Sequence, residues 1–425
     1  VCAESRAATH AEPSPGSTCV DVAILVLKSL KHDSRVLKES ETLAAQGLDV
    51  VRVGVVTHRD EPEWERTDHD RILLVHTTNR LASQRETPPE GSPGSSGVDG
   101  RVARDPYAGV LGAVRHWLGR RRENRLAAKA VALLRPRVVI ACDLNTLLAG
   151  WLLKRETGCR LVYDAHELYT EMSPAKSWAH KLLWGATERR LIRKADAVIT
   201  VSPQRAEEFA RRYRIPAPGV VLNGPRACLG NPQPVGDPIR IIYQGGFQRA
   251  RGIDSLIRAS AALRGKAIVT LQGFGSDGTR LRQLVESHDL QETVRFIEPC
   301  APELVVPTAH EHDVGVVTYR AETLNDYLAA PNKLFDYMGA GIAVLGTRLP
   351  MIEEIVTRER CGVLFSPDDE EDLAHALAEI VADRDLLAHM KTRSARACER
   401  YAWQSQEATL LEAVLGVRRD VPNAD

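Results

Sequence analysis

The chain has 425 residues, of which 44% are hydrophobic and 26% charged, and its formal net charge is +0. That length is more than one hydrophobic core organises, so two domains are expected, with the composition of an ordinary globular protein. No apolar run approaches the length of a membrane span, and no nucleic-acid partner is expected. The eight cysteines are scattered without a C-x-x-C pair, which argues against a zinc ribbon or a disulfide scaffold and fits a reducing, cytoplasmic setting.

Charge is unevenly spread. Basic residues prevail over 21–223 and acidic ones over 224–425, so an anionic partner is expected for the first half. Residues 1–20 are polar and rich in Pro and Ser, without the apolar stretch of a signal peptide, and read as a disordered leader.

From there short apolar runs alternate with helical patterns. Strands are expected at 22–27, 50–56, 72–75, 137–142, 160–165, 197–201 and 219–222, with helices at 34–46, 144–156, 176–195 and 203–213 among them. The second series has strands at 239–244, 267–273, 294–297, 313–319, 342–346 and 362–365. Helices are expected near 252–264, 277–288, 332–340, 351–357 and 370–382. Repeated β-α units give parallel sheets covered on both faces, so the expected fold class is α/β, with two Rossmann-like domains facing each other across a cleft. The first occupies 21–223, with a mobile insertion at 81–106. The Pro- and Gly-rich stretch 224–238 is the linker. The second domain spans 239–400, and 401–425 carries a last helix crossing back to the first.

Ligands of open α/β sheets bind beyond the carboxyl ends of the strands, and several motifs sit there. "LKSLKHDSRVLKE" (27–39) follows the first strand, with basic residues and Asp33 but no glycine-rich phosphate fingerprint; Asp33 or Ser34 is a helix cap. "VYDAHELYTEM" (162–172) brings His166 and Glu167 to the sheet edge. "YQGGFQRARGIDSLIRA" (243–259) is a strand, a glycine loop and a helix, with Gly245, Gly246, Arg249 and Arg251 suited to an anion. "LQGFGSD" (271–277), with Gly273 and Phe274, is a second such turn. In "LAAPNKLFDYMGAGIAVLGT" (328–347), Pro331 and Asn332 look like a helix start, with Asn332 as a possible cap, followed by Lys333. A cation in a first turn opposes the helix dipole unless both face one anion. Two acidic or histidine-rich stretches are read as structural: "SPDDEEDL" (366–373) as a helix start capped by Ser366 or Asp368, and "HEHD" (310–313) as a turn.

Two helical stretches, 114–130 around Trp117 and 175–194 around Trp178 and Trp184, combine tryptophan with many Lys and Arg residues. They are expected to be solvated amphipathic helices or a docking face for an anionic membrane.

The glycine loops and "VRFIEPC", "HDVGVVTY" and "PNKLFDYMGAGIAVL", preceded by "VYDAHELYTE", "ADAVITVSP" and "VVLNGP", resemble family-4 glycosyltransferases of the GT-B fold over about residues 21–417. The resemblance implies a nucleotide-diphosphate sugar bound mainly by the second domain, an acceptor bound mainly by the first, and metal-independent transfer with retention and no cofactor. It implies catalytic roles for His166, Arg251 and Lys333, and donor contacts from Gly245, Gly246, Arg249, Gly273, Phe274, Asn332 and Asp336. Acceptor-side contacts are implied for Asp33, Arg35 and Glu167. Two family positions differ: an arginine falls on Gly246 and a glutamate on Leu328, while the family's ribose-binding glutamate falls on Asp336. A sugar-nucleotide epimerase, a phosphorylase and a catalytically silent sugar-nucleotide-binding subunit are the alternative readings.

Overall fold

The computed structural model describes residues 19–26, 33–56, 64–76, 109–172 and 177–416. Most of the expected leader and all of the expected insertion at 81–106 lie outside the described residues.

The first sheet contains β1 (Val22–Val26), β2 (Val50–Val56), β3 (Trp64–Arg66), β4 (Arg71–His76), β5 (Val138–Cys142), β6 (Arg160–Ala165), β7 (Ala197–Thr200) and β8 (Gly219–Val220), in the spatial order 3-4-2-1-5-6-7-8. All its pairings are parallel except β3 with β4. The second sheet contains β9 (Ile239–Gln244), β10 (Ala267–Gln272), β11 (Val294–Ile297), β12 (Val314–Val317), β13 (Ala343–Thr347) and β14 (Gly362–Phe365), in the order 11-10-9-12-13-14 and parallel throughout. The expected α/β class with two Rossmann-like sheets is what the chain adopts. Helices cover both faces, so central strands such as β1 and β5 are buried along their whole length and read as unbroken apolar runs.

Two local expectations are corrected. The helix Glu370–Ala382 is capped by Asp369, whose side chain accepts the Asp372 N–H at 3.0 Å, and not by Ser366 or Asp368. The Asp372 carboxylate in turn accepts the Ser366 N–H at 2.7 Å, so this acidic run closes on its own backbone. The long helix Arg384–Tyr401 was not among the expected elements. It buries Lys391 and Ser394 among its apolar positions, which breaks the apolar period; Lys391 reaches Asp313 at 2.6 Å.

The chain passes between the sheets twice. On the way out, Gly224 lies against the end of the Arg384–Tyr401 helix; on the way back, the Trp403 N–H donates to Pro225 O at 2.9 Å. The helix Glu407–Leu415 then joins the apolar cluster beneath the first sheet, and the Trp403 indole donates to Thr42 Oγ1 at 2.8 Å. Cys228, just after the outward crossing, forms a disulfide with Cys398, 170 residues away and 6.0 Å distant between Cα atoms. This corrects the expectation of reduced cysteines for that pair. Sequence spacing gives no sign of it, because the partners are brought together only by the two crossings.

A Cβ at Gly224 would lie 1.8 Å from the Tyr401 carbonyl oxygen, where neither backbone can give way without shifting a crossing. Gly224→Ala should therefore cost about 1–3 kcal/mol, the range for overpacking, as a lowered midpoint in urea denaturation. A midpoint equal to wild type would show that the crossings are not pinned to each other.

Candidate active site

A cavity of about 510 Å³ lies between the two sheets. From the first domain it is lined by Asp33, Arg35, His166, Glu167, Arg205 and Asn223, and from the second by Arg251, Tyr319, Asn325, Asp326 and Asn332, with neighbours.

The first-domain wall rests on charges that are already paired. Asp33 caps the helix Ser34–Ala45, accepting the Val36 N–H at 3.3 Å. The second residue of that helix, the buried Arg35, donates to both oxygens of Asp164, at 2.9 and 2.8 Å, and to Val221 O at 2.6 Å, and it pairs with Glu39 at 3.0 Å. Asp164 lies two residues before His166, and the two side chains meet at 2.5 Å. Asp143, just after β5, holds the backbone of this corner by accepting the N–H groups of His166 and Glu167 at 3.0 and 3.2 Å. Asp143 adopts φ +61°, a conformation uncommon for a residue with a side chain.

These contacts set the protonation states. Burial alone would lower the His166 pKa, but Asp164 and then Asp143 outweigh it and raise it to about 9. Burial would raise that of Asp164, yet Arg35 and then His166 hold it well below the usual carboxylate range. Glu39 is pushed well up, by burial first and then by the Asp164 charge. The corner thus sets the Arg35 guanidinium and the His166 imidazolium against the Asp164 carboxylate, with Glu39 beside them. Cys142, Asp164 and His166 bring possible ligand atoms within 4.8 Å of one another. Arg35 and His166 already take both Asp164 oxygens, so the trio is an ion-pair corner and does not have the open donor set of a metal centre.

The second-domain wall is built differently. After β9 and β10 the two glycine loops run side by side: the Gly245 N–H donates to Gln272 O at 2.9 Å and the Phe247 N–H to Phe274 O at 2.8 Å. Gly273, at φ +154°, permits this approach, since a Cβ there would lie 1.9 Å from Gly245 O. Gly245 in turn faces Lys333, whose Nζ is 3.2 Å from where its Cβ would be. The Lys333 ammonium sits over the Tyr243 ring at 4.0 Å and the Arg251 guanidinium over Tyr319 at 4.3 Å. Neither has a carboxylate ion-pair partner among the described residues. Burial first, and then Arg251, push the Lys333 pKa well down; Asp336 opposes this weakly. Asp336 itself is raised to about 6 by burial, despite Lys38 and Lys333.

The structure thus brings Arg251 into the cavity lining across from His166, Glu167, Asp33 and Arg35, whereas Lys333, Gly245, Gly273 and Asp336 lie outside that lining, Lys333 with its ammonium over Tyr243 and Tyr319 at 4.0 and 5.6 Å. Asn332 lines the cavity but does not cap its helix: the helix Asn332–Gly339 starts after Pro331 without a side-chain cap. Arg249 is exposed and lies outside the cavity lining, as do Gly246 and Phe274, the latter 74% exposed. Sequence reasoning missed Asp143, Asp164, Tyr243, Tyr319 and Arg205. Asp164 carried a signal, since β alternation puts it on the same side as His166. Arg205 carried none: it donates to the Leu328 and Asn325 carbonyls at 2.9 and 3.1 Å, 123 and 120 residues away. Leu328 and Leu324 pack against the first-domain core, so the position where the family has a glutamate serves here as part of an interdomain clasp.

Comparison with known proteins bears on the family and the fold. The profile described as Glycosyltransferase Family 4 matches residues 34–224, and that of Glycosyl transferases group 1 matches residues 238–383. The chain belongs to the family-4 glycosyltransferases of the GT-B fold. Among family relatives, a D-inositol 3-phosphate glycosyltransferase of Saccharomonospora viridis is 26% identical over 300 residues, covering 62% of this chain and 66% of the relative. One from Corynebacterium jeikeium is 26% identical over 248 residues, covering 52% of this chain and 58% of the relative. The matches thus span less than two thirds of these relatives. Among solved GT-B structures, the sucrose-phosphate synthase of Thermosynechococcus elongatus superposes with a TM-score of 0.68 at 18% identity, covering 91% of this chain and 96% of that one. Anabaena HepE in complex with UDP and glucose gives 0.65 at 14%, covering 94% and 100%.

The His166 ion pairs make stability depend on pH. His166 is protonated in the folded chain up to about pH 9 but in the unfolded chain only to about 6.5, so its contribution is full below 6.5 and disappears as pH rises through 9. Lys38, lowered by burial to about 8, pulls the other way above that pH. The advantage of wild type over His166→Gln in urea denaturation should thus be largest near pH 6 and shrink by up to about 1.4 kcal/mol per pH unit towards pH 9. A difference that stays constant from pH 6 to pH 9 would mean that folding does not raise the His166 pKa.

Proposed function

We propose that this protein is a retaining glycosyltransferase that moves a sugar from a nucleotide-diphosphate donor to an acceptor hydroxyl on a glycan, a lipid-linked carrier or a secondary metabolite, in the cytoplasm and without a metal ion. The single observation that carries the reading is the pair of cations, Arg251 and Lys333, held over Tyr319 and Tyr243 beside the glycine loops and the N-terminus of the helix Asn332–Gly339. A dianionic diphosphate in front of that helix would meet both side chains and the helix dipole at once. Such preorganised charges favour departure of the diphosphate as positive charge builds at the anomeric carbon. In the retaining, front-face course, the departing phosphate oxygen accepts the acceptor's proton. Asp336, beyond Lys333, is assigned to the ribose. His166, cationic across the cavity, is assigned to the donor sugar.

The GT-B neighbour that holds UDP and glucose supports this reading, as do the family relatives named as glycosyltransferases. Lys333→Ala should lower transfer by about 10²- to 10³-fold, the scale for one preorganised electrostatic contact, while leaving the melting temperature unchanged or slightly higher. UDP affinity should fall in parallel. Wild-type turnover and UDP affinity in this variant would remove the basis for placing the diphosphate there.

We further propose peripheral docking on the inner face of an anionic membrane through the helices Gly109–Ala132 and Trp178–Leu191. Trp184 is buried, and Trp117 donates to Thr187 Oγ1 at 3.0 Å, so these rings hold the two helices together. Leu111, Trp178 and Leu182 are the most exposed apolar groups of the two helices, at 81%, 69% and 62%, with Val110, Leu118, Arg115, Arg122 and Lys181 also exposed. That mixture suits insertion at a headgroup boundary. Co-sedimentation with anionic liposomes at low salt should be lost on Trp178→Ser with Leu111→Ser; retention of binding in the double variant overturns the assignment.

A further inference from the structure

A second cavity, of about 630 Å³, lies on the far side of the second domain at the edge of its sheet. We propose that it is a docking groove for an extended acidic segment of a partner protein, which adds to β14 as a further strand. The proposal is independent of the transferase reading.

Three observations point to this occupant. The first is the backbone. β14 ends the sheet and has β13 on one side only. The Cys361 and Phe365 carbonyls accept from Val344 and Arg348 N–H groups at 3.0 and 2.7 Å, so odd-numbered residues face β13. Backbone direction alternates along a strand, so Gly362 and Leu364 turn their N–H and C=O groups outward, and both residues line the groove.

The second is charge. Arg348, Arg360, Arg393 and His389 line the groove against one acid, Glu379. Arg348 pairs with Glu353 at 2.8 Å, whereas Arg360 and Arg393 have no ion-pair partner among the described residues. The rest of this half of the chain carries an acidic excess, so a basic groove here is a local feature.

The third is the floor, where Leu364, Leu386 and Met390 offer apolar contact and Leu386 is 41% exposed. A lone phosphate would satisfy the arginines but leave the outward backbone groups and this floor unmatched. An extended chain meets all three, with its main chain on β14, one set of alternate side chains on the floor and acidic ones on the rim.

The test uses the full chain and a fluorescein-labelled peptide of roughly ten residues, a common upper length for a strand, alternating valine and glutamate. Fluorescence anisotropy should show saturable binding. Arg393→Glu should weaken it about tenfold or more, as expected for reversing one charge at a complementary interface. A peptide with a central proline should not bind, because it cannot complete the ladder. Hydrogen exchange should show the Leu364 amide protected by the first peptide. An unchanged thermal unfolding midpoint of Arg393→Glu by circular dichroism would establish that the variant is folded. Equal binding of the proline peptide, or undiminished binding by Arg393→Glu, would overturn strand addition. So would full displacement of the peptide by millimolar inorganic phosphate or by anionic vesicles, which would leave the groove a simple anion site.

Discussion

The guanidinium of Arg35 is the contact on which the first half of the site depends. It stands in the first turn of a helix, is buried, and joins that helix to the end of β6 and to Val221 beyond β8. Removing one member of a buried ion pair leaves the other charge without solvent or partner, at a cost of several kcal/mol. Asp164 therefore stays ionised in a place that would otherwise protonate it. An ionised Asp164 in turn keeps His166 charged and fixed in direction. The imidazolium at the cavity wall is thus a consequence of a pairing that lies behind it.

The two walls of the cavity differ in one physical respect. On the first-domain side each charge is matched within the protein. On the second-domain side Lys333 and Arg251 rest on aromatic faces, which attract cations but do not neutralise them. Burial then presses the ammonium towards its neutral form. A site of this kind is set to take a ligand that supplies the missing negative charge, and the glycine loops leave main-chain room beside it.

The distance between the walls is controlled elsewhere. Arg205 and the leucines at 324 and 328 clasp the domains at the cavity, while the two chain crossings join them behind it and the Cys228–Cys398 disulfide ties the outgoing linker to the second domain. The clasp puts one charge at the cavity wall, the Arg205 guanidinium, which Glu167 pairs at 3.1 Å; its other members are backbone carbonyls and apolar side chains. The departure from the family at Leu328 fits this: a leucine there belongs to the clasp.

The sequence by itself determined the layered α/β class, most strand positions and the helix that opens at Asn332 and carries Lys333 in its first turn. These rest on local periodicity and on glycine-rich turns after strands, both read within a window of a few residues. His166, Arg251 and Lys333 were legible for the same reason, since each stands at the end of a β-α unit. Tertiary structure alone decided the partners: Asp164 for Arg35 across 129 residues, Leu328 for Arg205 across 123, and Cys398 for Cys228 across 170. It also decided that Asn332 faces the cavity without capping its helix and that Arg249 stays at the surface. Contacts between distant segments depend on how the sheets are placed, and pKa shifts depend on burial. Neither quantity exists in the chain until both domains have folded and met.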